Sequence, residues 1–151
     1  MNVNKEYWIK TDVLVVGGGS AGTMAAIEAR KTGQEVALVD KGGIYRSGCG
    51  AAGNDHFLAV LDSGPDWDTP EVFLKWYKRL TQGLVSIKIA EKVYVRRIKA
   101  LVKELEEMGV AMKEPGHDEY IRTRSFSQPG DYFINFDGRA LKPMASKKAE
   151  Q

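Results

Sequence analysis

The sequence predicts an α/β fold built on a single strand–helix–strand unit near its start. Three observations predict it. The apolar run "VLVV" at residues 13–16 stops at three glycines, a helix-compatible stretch follows, and a second apolar run, "VALV", fills residues 36–39. Short β-branched runs with sharp ends are typical of buried strands. Two strands joined by a helix within about 30 residues form a βαβ unit with parallel strands.

The helix of this unit is predicted over 20–32, where Ala, Met, Ile, Glu and Arg favour helical structure. Gly33 follows at the position where glycine commonly ends a helix. A loop with five glycines then runs from Lys41 to Gly53. Residues 11–53 are predicted to hold the βαβ unit and the glycine-rich loop of one partial domain that spans residues 1–151.

The middle of the chain, residues 54–110, is predicted to be mostly helical. Thr69 followed by Pro70 is a favourable helix start and predicts a helix over 70–81. Apolar residues then recur with steps of four and three, which predicts a second helix over 86–108 that ends at Gly109. The residues of this apolar stripe are Tyr94, Ile98, Leu101, Leu105 and Met108.

The last stretch, residues 111–151, is predicted to be irregular, with a short hairpin and the start of a helix. The hairpin would consist of a strand in "YFINF" (132–136), a turn at Asp137-Gly138, and a returning strand in "RALK" (139–142). The helix would start near Pro143.

Composition excludes several classes of function. The chain has 151 residues with a net charge of +2, which gives no electrostatic reason to expect nucleic acid as a partner. One cysteine, Cys49, allows neither an internal disulfide nor a multi-cysteine metal site. No signal peptide and no segment long enough for direct membrane insertion are visible, so a cytoplasmic protein is predicted.

The glycine cluster has the pattern G-x-G-x-x-G at Gly17, Gly19 and Gly22. Alone this pattern is weak, but here it follows a strand, opens a helix and precedes a second strand that ends at Asp40. The first glycine permits the turn, the second lets the backbone approach a pyrophosphate, and the third allows close helix–strand packing. The helix N-terminus favours the diphosphate, and the carboxylate of Asp40 can accept hydrogen bonds from a ribose while repelling a 2′-phosphate. These features predict dinucleotide binding, with Ser20 and Ala21 beside the diphosphate.

The second glycine-rich segment favours FAD over NAD. "GGIYRSGCGAAGND" (42–55) replaces the helix and strand that usually continue a simple NAD domain. So many glycines suggest backbone lying against an extended ligand, although a flexible loop is the plainer interpretation. Lys41, Ser47, Gly48 and Cys49 would line the path of FAD.

Strand–"GGGSAG"–helix–strand–"DK" followed by "RSGCGAAG" resembles the N-terminal FAD-binding region of the fumarate reductase/succinate dehydrogenase flavoprotein family. The branch that contains the α subunit of dissimilatory adenylylsulfate reductase is most similar. Three later stretches share the resemblance: 69–84, 101–110 and "GRALKPM" at 138–144. The resemblance implies a Rossmann-like FAD-binding domain with an incomplete parallel sheet and a helical segment inserted after the second strand.

Two departures from the family qualify what the resemblance implies. Membrane-linked members carry a histidine after the Arg-Ser pair, to which FAD is attached covalently, whereas Gly48 stands there in this chain. Non-covalent FAD is therefore expected. Family members are also several times longer, and their substrate-handling arginines and histidines lie beyond the end of this chain. A truncated chain or a piece of a split subunit is expected, with catalytic residues and enzyme activity undetermined.

In the family, electrons pass between the flavin and an iron–sulfur partner subunit. One cysteine is too few to hold a cluster, so such a partner would be a separate chain. Two alternatives remain open: a small non-catalytic module that binds FAD, NAD or ADP, and an inactive truncated fragment.

The remaining candidate residues are assigned ordinary structural roles. Cys49 is either a redox thiol beside the flavin or, more simply, a small residue that fills space. The two histidines, His56 and His117, are far apart and in no metal-ligand pattern. Four acidic residues sit in turns, where they favour local backbone hydrogen bonds rather than a metal site. They are Asp66, Asp68, Asp118 and Glu119.

Overall fold

The computed structural model describes residues 6–151, and their contacts form two compact units. The first unit runs up to Ala52 and includes Ala145–Gln151, whereas the second is Gly53–Met144. The division of the chain at residues 53 and 110 stays a prediction. No helix in the described part of the chain is both long enough and apolar enough to cross a bilayer.

The first unit contains the predicted strand–helix–strand. Strand β1 is Val13–Val16, helix α1 is Ser20–Lys31 and strand β2 is Val36–Val39. The strands pair in parallel along all four residues, so the predicted βαβ unit is confirmed. Helix α1 packs on one face of the pair, whereas Leu14 and Val16 are exposed on the other because side chains alternate along a strand.

The end of α1 also agrees with the sequence. Thr32 is the C-cap residue, and its N–H bonds back to the last turn of the helix. Gly33 follows with φ of +83°, the left-handed conformation that glycine adopts without strain. The prediction of a glycine-terminated helix is therefore confirmed.

The second unit is built on a three-stranded antiparallel sheet. Strand β3 is His56–Leu58, and it pairs with a strand more than 70 residues later in the chain. The helices between them come next along the chain: α2 is Pro70–Leu80, α3 is Ile87–Glu91 and α4 is Ile98–Glu107. Strands β4 (Ile121–Thr123) and β5 (Phe133–Asn135) follow, in the sheet order β3-β5-β4.

Both predicted helices of this unit are present. Thr69 caps α2, because its hydroxyl accepts a hydrogen bond from the N–H of Val72 at 3.4 Å, and Pro70 is the first helical residue. The longer predicted helix is a continuous run from α3 to α4 through a π-helical turn, Lys92–Arg97. In this turn the carbonyl of Tyr94 accepts a hydrogen bond from the N–H of Val60 at 3.0 Å. This bond from outside the helix competes with the α-helical partner of the carbonyl and accounts for the wide turn.

Two apolar clusters hold this unit together. The first packs α4 on the sheet, and Ile98 and Leu105 of the predicted stripe are buried in it, together with Val102. The second is aromatic and centres on Phe73 and Tyr132, neither of which is exposed.

The predicted Asp-Gly hairpin is wrong. Gly138–Ala140 forms a 3-10 turn that leads directly into helix α5, Leu141–Ala149. The strand β5 already has a partner on each side, so a returning strand has no free edge to pair with. Asp137 instead accepts hydrogen bonds from the side chain and the N–H of Arg139, which lower its pKa to about 2.

Asp68 does more than its predicted turn role. Its carboxylate accepts the N–H groups of Leu61 and Ser63, which are the local bonds expected of a turn residue. It also forms a buried ion pair of 2.7 Å with Arg122, 54 positions away, whose guanidinium lies over the ring of Trp67. Burial raises the pKa of Asp68, but the bonds from Arg122 and Ser63 outweigh this effect and hold it below the ordinary value.

Candidate functional site

The turn out of β1 depends on two glycines for different reasons. Gly17 has φ of +103°, while its N–H continues the ladder to the carbonyl of Val39 at 2.8 Å. A Cβ atom at Gly22 would overlap the carbonyl of Gly17 and lie 3.4 Å from a methyl group of Val15. Glycine is therefore required as the third glycine of the pattern, because the backbone of α1 packs directly against the backbone at the end of β1.

The N-terminus of α1 is uncapped. Gly19 is the N-cap residue in extended conformation, no side chain accepts a hydrogen bond there, and the first turn holds no acidic residue. The N–H groups of Ser20, Ala21 and Gly22 have no acceptor within the helix, since the first turn of any α-helix lacks one. These dipoles point a partial positive charge at the loop, where an anionic group is stabilised.

Thr23 holds the loop in shape, and sequence reasoning missed it. It is fully buried, and its hydroxyl lies 2.9 Å from the carbonyl of Gly19 and 3.2 Å from that of Gly18. The hydroxyl of a helical threonine often donates a hydrogen bond to the carbonyl four residues earlier, so a threonine at this position does not by itself indicate a role in the loop.

Asp40 ties the end of β2 to the glycine loop. One carboxylate oxygen accepts the N–H of Gly18 at 2.6 Å and the hydroxyl of Ser47 at 2.7 Å, and the other accepts the N–H of Gly42 at 2.8 Å. These bonds, from Gly18 first and then Ser47 and Gly42, hold the pKa of Asp40 below its ordinary value. The carboxylate is therefore ionised at neutral pH, and about one of its four acceptor sites, on Oδ1, is left to accept a hydroxyl hydrogen bond.

The second glycine-rich segment lies against the first. Gly48 has φ of +79°, and a Cβ atom on it would come within 2.8 Å of the Cα of Gly19. A Cβ atom on Gly50 would come within 2.5 Å of the hydroxyl of Ser20. Backbone-to-backbone packing of this kind requires glycine at both positions.

The structure brings most of the predicted site residues together around these two loops. They are Gly17, Gly19, Ser20, Ala21, Gly22, Asp40, Ser47 and Gly48. Lys41 is exposed, and its side chain makes no hydrogen bond or ion pair with any described residue. Cys49 is an exposed free thiol at the start of a short 3-10 turn, Cys49–Ala52. The ligand contacts of all ten residues stay predictions.

The arrangement fits a dinucleotide diphosphate next to a ribose. Three observations support the fit: the uncapped helix terminus, the glycines whose missing Cβ atoms leave the backbone accessible, and the ionised carboxylate at the end of β2.

The sequence is similar to a family of FAD-binding domains and to one characterised reductase. The sequence profile of the FAD binding domain family matches residues 12–142. Digoxin reductase from Eggerthella lenta is 38% identical over 85 residues, which are 52% of this chain and 15% of that protein.

Solved structures agree with the fold. Adenylylsulfate reductase from the hyperthermophilic Archaeoglobus fulgidus superposes with a TM-score of 0.74 at 26% identity, over 94% of this chain and 22% of that one. Escherichia coli quinol fumarate reductase superposes with a TM-score of 0.78 at 18% identity, over 95% of this chain and 24% of that one. The second likeness concerns the fold alone.

The chain spans less than a quarter of the length of each of these relatives. The profile match nevertheless covers most of this chain, including the whole strand–helix–strand unit and both glycine-rich segments. The predicted Rossmann-like flavoprotein fold and the FAD cofactor are confirmed. The chain belongs to the FAD binding domain family.

Proposed function

We propose that the chain is the FAD-binding part of a flavoprotein oxidoreductase subunit of the fumarate reductase, succinate dehydrogenase and adenylylsulfate reductase type. One observation carries the proposal: the uncapped N-terminus of α1 and the carboxylate of Asp40 meet at one glycine loop, in a chain that matches the FAD family. Bound FAD supplies the redox chemistry, while the protein supplies binding, orientation and electrostatics.

Each predicted residue has an assigned part in holding FAD. The glycine loop and the first turn of α1 bind the diphosphate through backbone N–H groups. Asp40 accepts a hydroxyl of the adenosine ribose at the acceptor site of Oδ1 that the three protein donors leave unused. The contacts to the diphosphate come from Gly17, Gly19, Ser20, Ala21 and Gly22, and those along the rest of FAD from Lys41, Ser47, Gly48 and Cys49.

FAD is held non-covalently in this proposal. Related flavoproteins with covalent FAD carry a histidine at the position of Gly48. A side chain there would require strained backbone and would meet the backbone of Gly19 at 2.8 Å, so the loop geometry supports glycine. Cys49 follows Gly48 directly and is an exposed free thiol, which makes a thiol attachment the specific alternative to test.

Electrons would leave or reach the flavin through a separate iron–sulfur partner. The chain has one cysteine, whereas an iron–sulfur cluster needs several thiolate ligands. The resemblance to oxidoreductase subunits supports such a partner, and the substrate is left open.

A second candidate function is a non-catalytic module that binds FAD, NAD or ADP. One observation supports it: α1, the glycine loop and Asp40, whose contacts are the best defined at the site, would all contact the ADP half of a dinucleotide. A competition series separates the two candidates. The flavoprotein proposal expects FAD to bind more tightly than ADP or NAD, and FMN, which lacks the ADP half, to bind weakly.

The direct test of non-covalent FAD is an absorbance spectrum before and after adding FAD, followed by acid precipitation. The proposal expects flavin absorbance on the folded chain that moves entirely into the acid supernatant. Absorbance that stays in the pellet of the native chain but not of Cys49→Ser would contradict it and identify a thiol linkage. Equal affinity for FAD, NAD and ADP would favour the module.

A further inference from the structure

The second unit carries an open groove beside helix α2. It has a volume of about 590 Å³, and its accessible lining is mostly apolar, with Val72, Trp76 and Pro129 among the lining residues. Lys75, Lys78 and Arg79 also line it. We name this feature the α2 groove. Lysine and arginine cover apolar surface with their stems while keeping their charges in water, so the groove combines an apolar interior with three cations.

The α2 groove lies in a cation-rich part of the chain, and its own three cations are unpaired, whereas Arg96, Lys99 and Lys103 further along pair with carboxylates. Residues 72–103 contain nine of the 22 cationic residues of the chain and one of its 20 acidic residues. In the part of the chain that the structure describes, Lys75, Lys78 and Arg79 have no carboxylate within ion-pair distance. The small net charge of the whole chain hides this local excess.

Helix stability explains only part of this charge. Lys78 and Arg79 lie in the last turn of α2, where cations favour the helix dipole. Lys75 lies earlier in α2, and Lys88 and Lys92 belong to the next helical run, so the same dipole does not account for them.

Further apolar side chains are exposed in the residues that follow α2. Leu84, in the connection from α2 to α3, is 89% exposed, and Ile89 in α3 is 64% exposed. Ile89 and Val93 line a second, smaller groove of about 270 Å³, which also contacts Tyr77 of α2. Exposed apolar surface beside charged side chains is characteristic of interaction sites.

We propose that the α2 groove binds an acidic polypeptide segment whose apolar side chains insert into it. Carboxylates on the segment would pair with Lys75, Lys78 and Arg79, and its neighbouring apolar residues would cover Leu84 and Ile89. The concave shape favours a polypeptide over a lipid surface, because inserted side chains fill a groove whereas a bilayer requires protruding apolar residues. The inference is independent of FAD, since none of these residues belongs to the two glycine loops.

The test uses fluorescent synthetic peptides of about 14 residues that combine glutamate with leucine and phenylalanine. The apolar residues are spaced either for one helix face or for one strand face, to cover both ways of presenting them. Two control peptides replace the apolar residues with serine or the glutamates with lysine. Binding to the full chain is followed by fluorescence anisotropy at low and high salt.

The proposal expects binding of an acidic-apolar peptide alone, weakened by salt because the pairs are exposed. Combining Lys75→Glu, Lys78→Glu and Arg79→Glu should weaken binding at least about tenfold, and Leu84→Ser should weaken it separately. The matched control reverses three exposed lysines of the first unit, Lys10, Lys147 and Lys148, and should leave affinity unchanged. Circular dichroism would establish that each variant is folded.

Four results would overturn the proposal. They are no binding of any acidic-apolar peptide, equal binding of the serine control, equal weakening by both triple variants, and binding to vesicles containing phosphatidylserine in place of peptide. A concentration-dependent dimer that Leu84→Ser abolishes would instead assign the surface to a second copy of the chain.

Discussion

Single atoms decide the geometry of the glycine loop. Position 22 accepts only glycine for a steric reason, because the carbonyl of Gly17 occupies the place of a Cβ atom. Asp40 holds the loop electrostatically, because three hydrogen-bond donors converge on its carboxylate. Each feature predicts a distinct response to substitution.

Gly22→Ala should destabilise the chain by about 1–3 kcal/mol, since the added methyl group forces helix α1 away from the strand end. Urea denaturation followed by circular dichroism measures the change in the free energy of unfolding. Gly43→Ala is the matched control, because Gly43 has φ of −75° and no atom within 4 Å of an added Cβ. Its stability should be unchanged or raised by up to about 1 kcal/mol. Equal stability of the two variants would refute the close contact.

Asp40→Asn should lower stability at neutral pH but not at low pH. The folded-state pKa of Asp40 is lowered, so its contribution is fully present above the ordinary value of 3.8 and disappears as pH falls through the lowered value. The difference in unfolding free energy between the wild type and Asp40→Asn should therefore shrink on acidification. A difference that stays constant from pH 7 to pH 3 would argue against the ionised carboxylate as the cause.

At the scale of elements, a buried ion pair connects strand β4 to the turn before α2. The side chain of Arg122 is 13% exposed and that of Asp68 is not exposed at all. Removing one partner of such a pair leaves the other charge buried without compensation.

Arg122→Met should destabilise the chain by about 3–5 kcal/mol at pH 7. Arg124→Met is its control, two residues along, because Arg124 pairs with Asp131 at 3.1 Å with a side chain that is 55% exposed. Exposed pairs contribute less than about 1 kcal/mol. Thermal and urea unfolding of both variants should separate them clearly, and similar losses would contradict the buried pair.

The elements that sequence predicts well are those with local signals. The glycine pattern, the Thr69-Pro70 start and Gly33 each act on neighbouring backbone, so their consequences follow from a few residues. Strands β3 and β4 have three residues each and become strands only by pairing with β5, which no periodicity reveals.

The contacts that the sequence did not predict at the site and the wrong hairpin in the last stretch have the same origin. Pairing of β5 on both edges excludes the Asp137-Gly138 hairpin, although the dipeptide alone favours one. The bond from Ser47 to Asp40 joins residues on different loops, and the back-bonding of Thr23 resembles that of many helical threonines. Contacts between distant residues of this kind cannot be predicted from short stretches of one sequence.

At the scale of the whole molecule, the residues proposed to bind FAD all belong to the first unit. They lie in the turn after β1, in the first turn of α1 and in the loop that follows β2, and the family profile matches this whole segment. The second unit has its own sheet and two apolar clusters. Flavin binding should therefore respond to substitutions at the closely packed glycines Gly22 and Gly48, and little to those in the α2 groove.

The most direct measurement is a titration of FAD into the folded chain, followed by flavin fluorescence, for the wild type, Gly22→Ala and Gly43→Ala. We expect saturable binding of one FAD by the wild type and by Gly43→Ala, and at least about tenfold weaker binding by Gly22→Ala, because the loop proposed to hold the diphosphate is displaced. A folded wild-type chain that binds no FAD, or a folded Gly22→Ala variant that binds it as tightly, would contradict FAD binding at this loop.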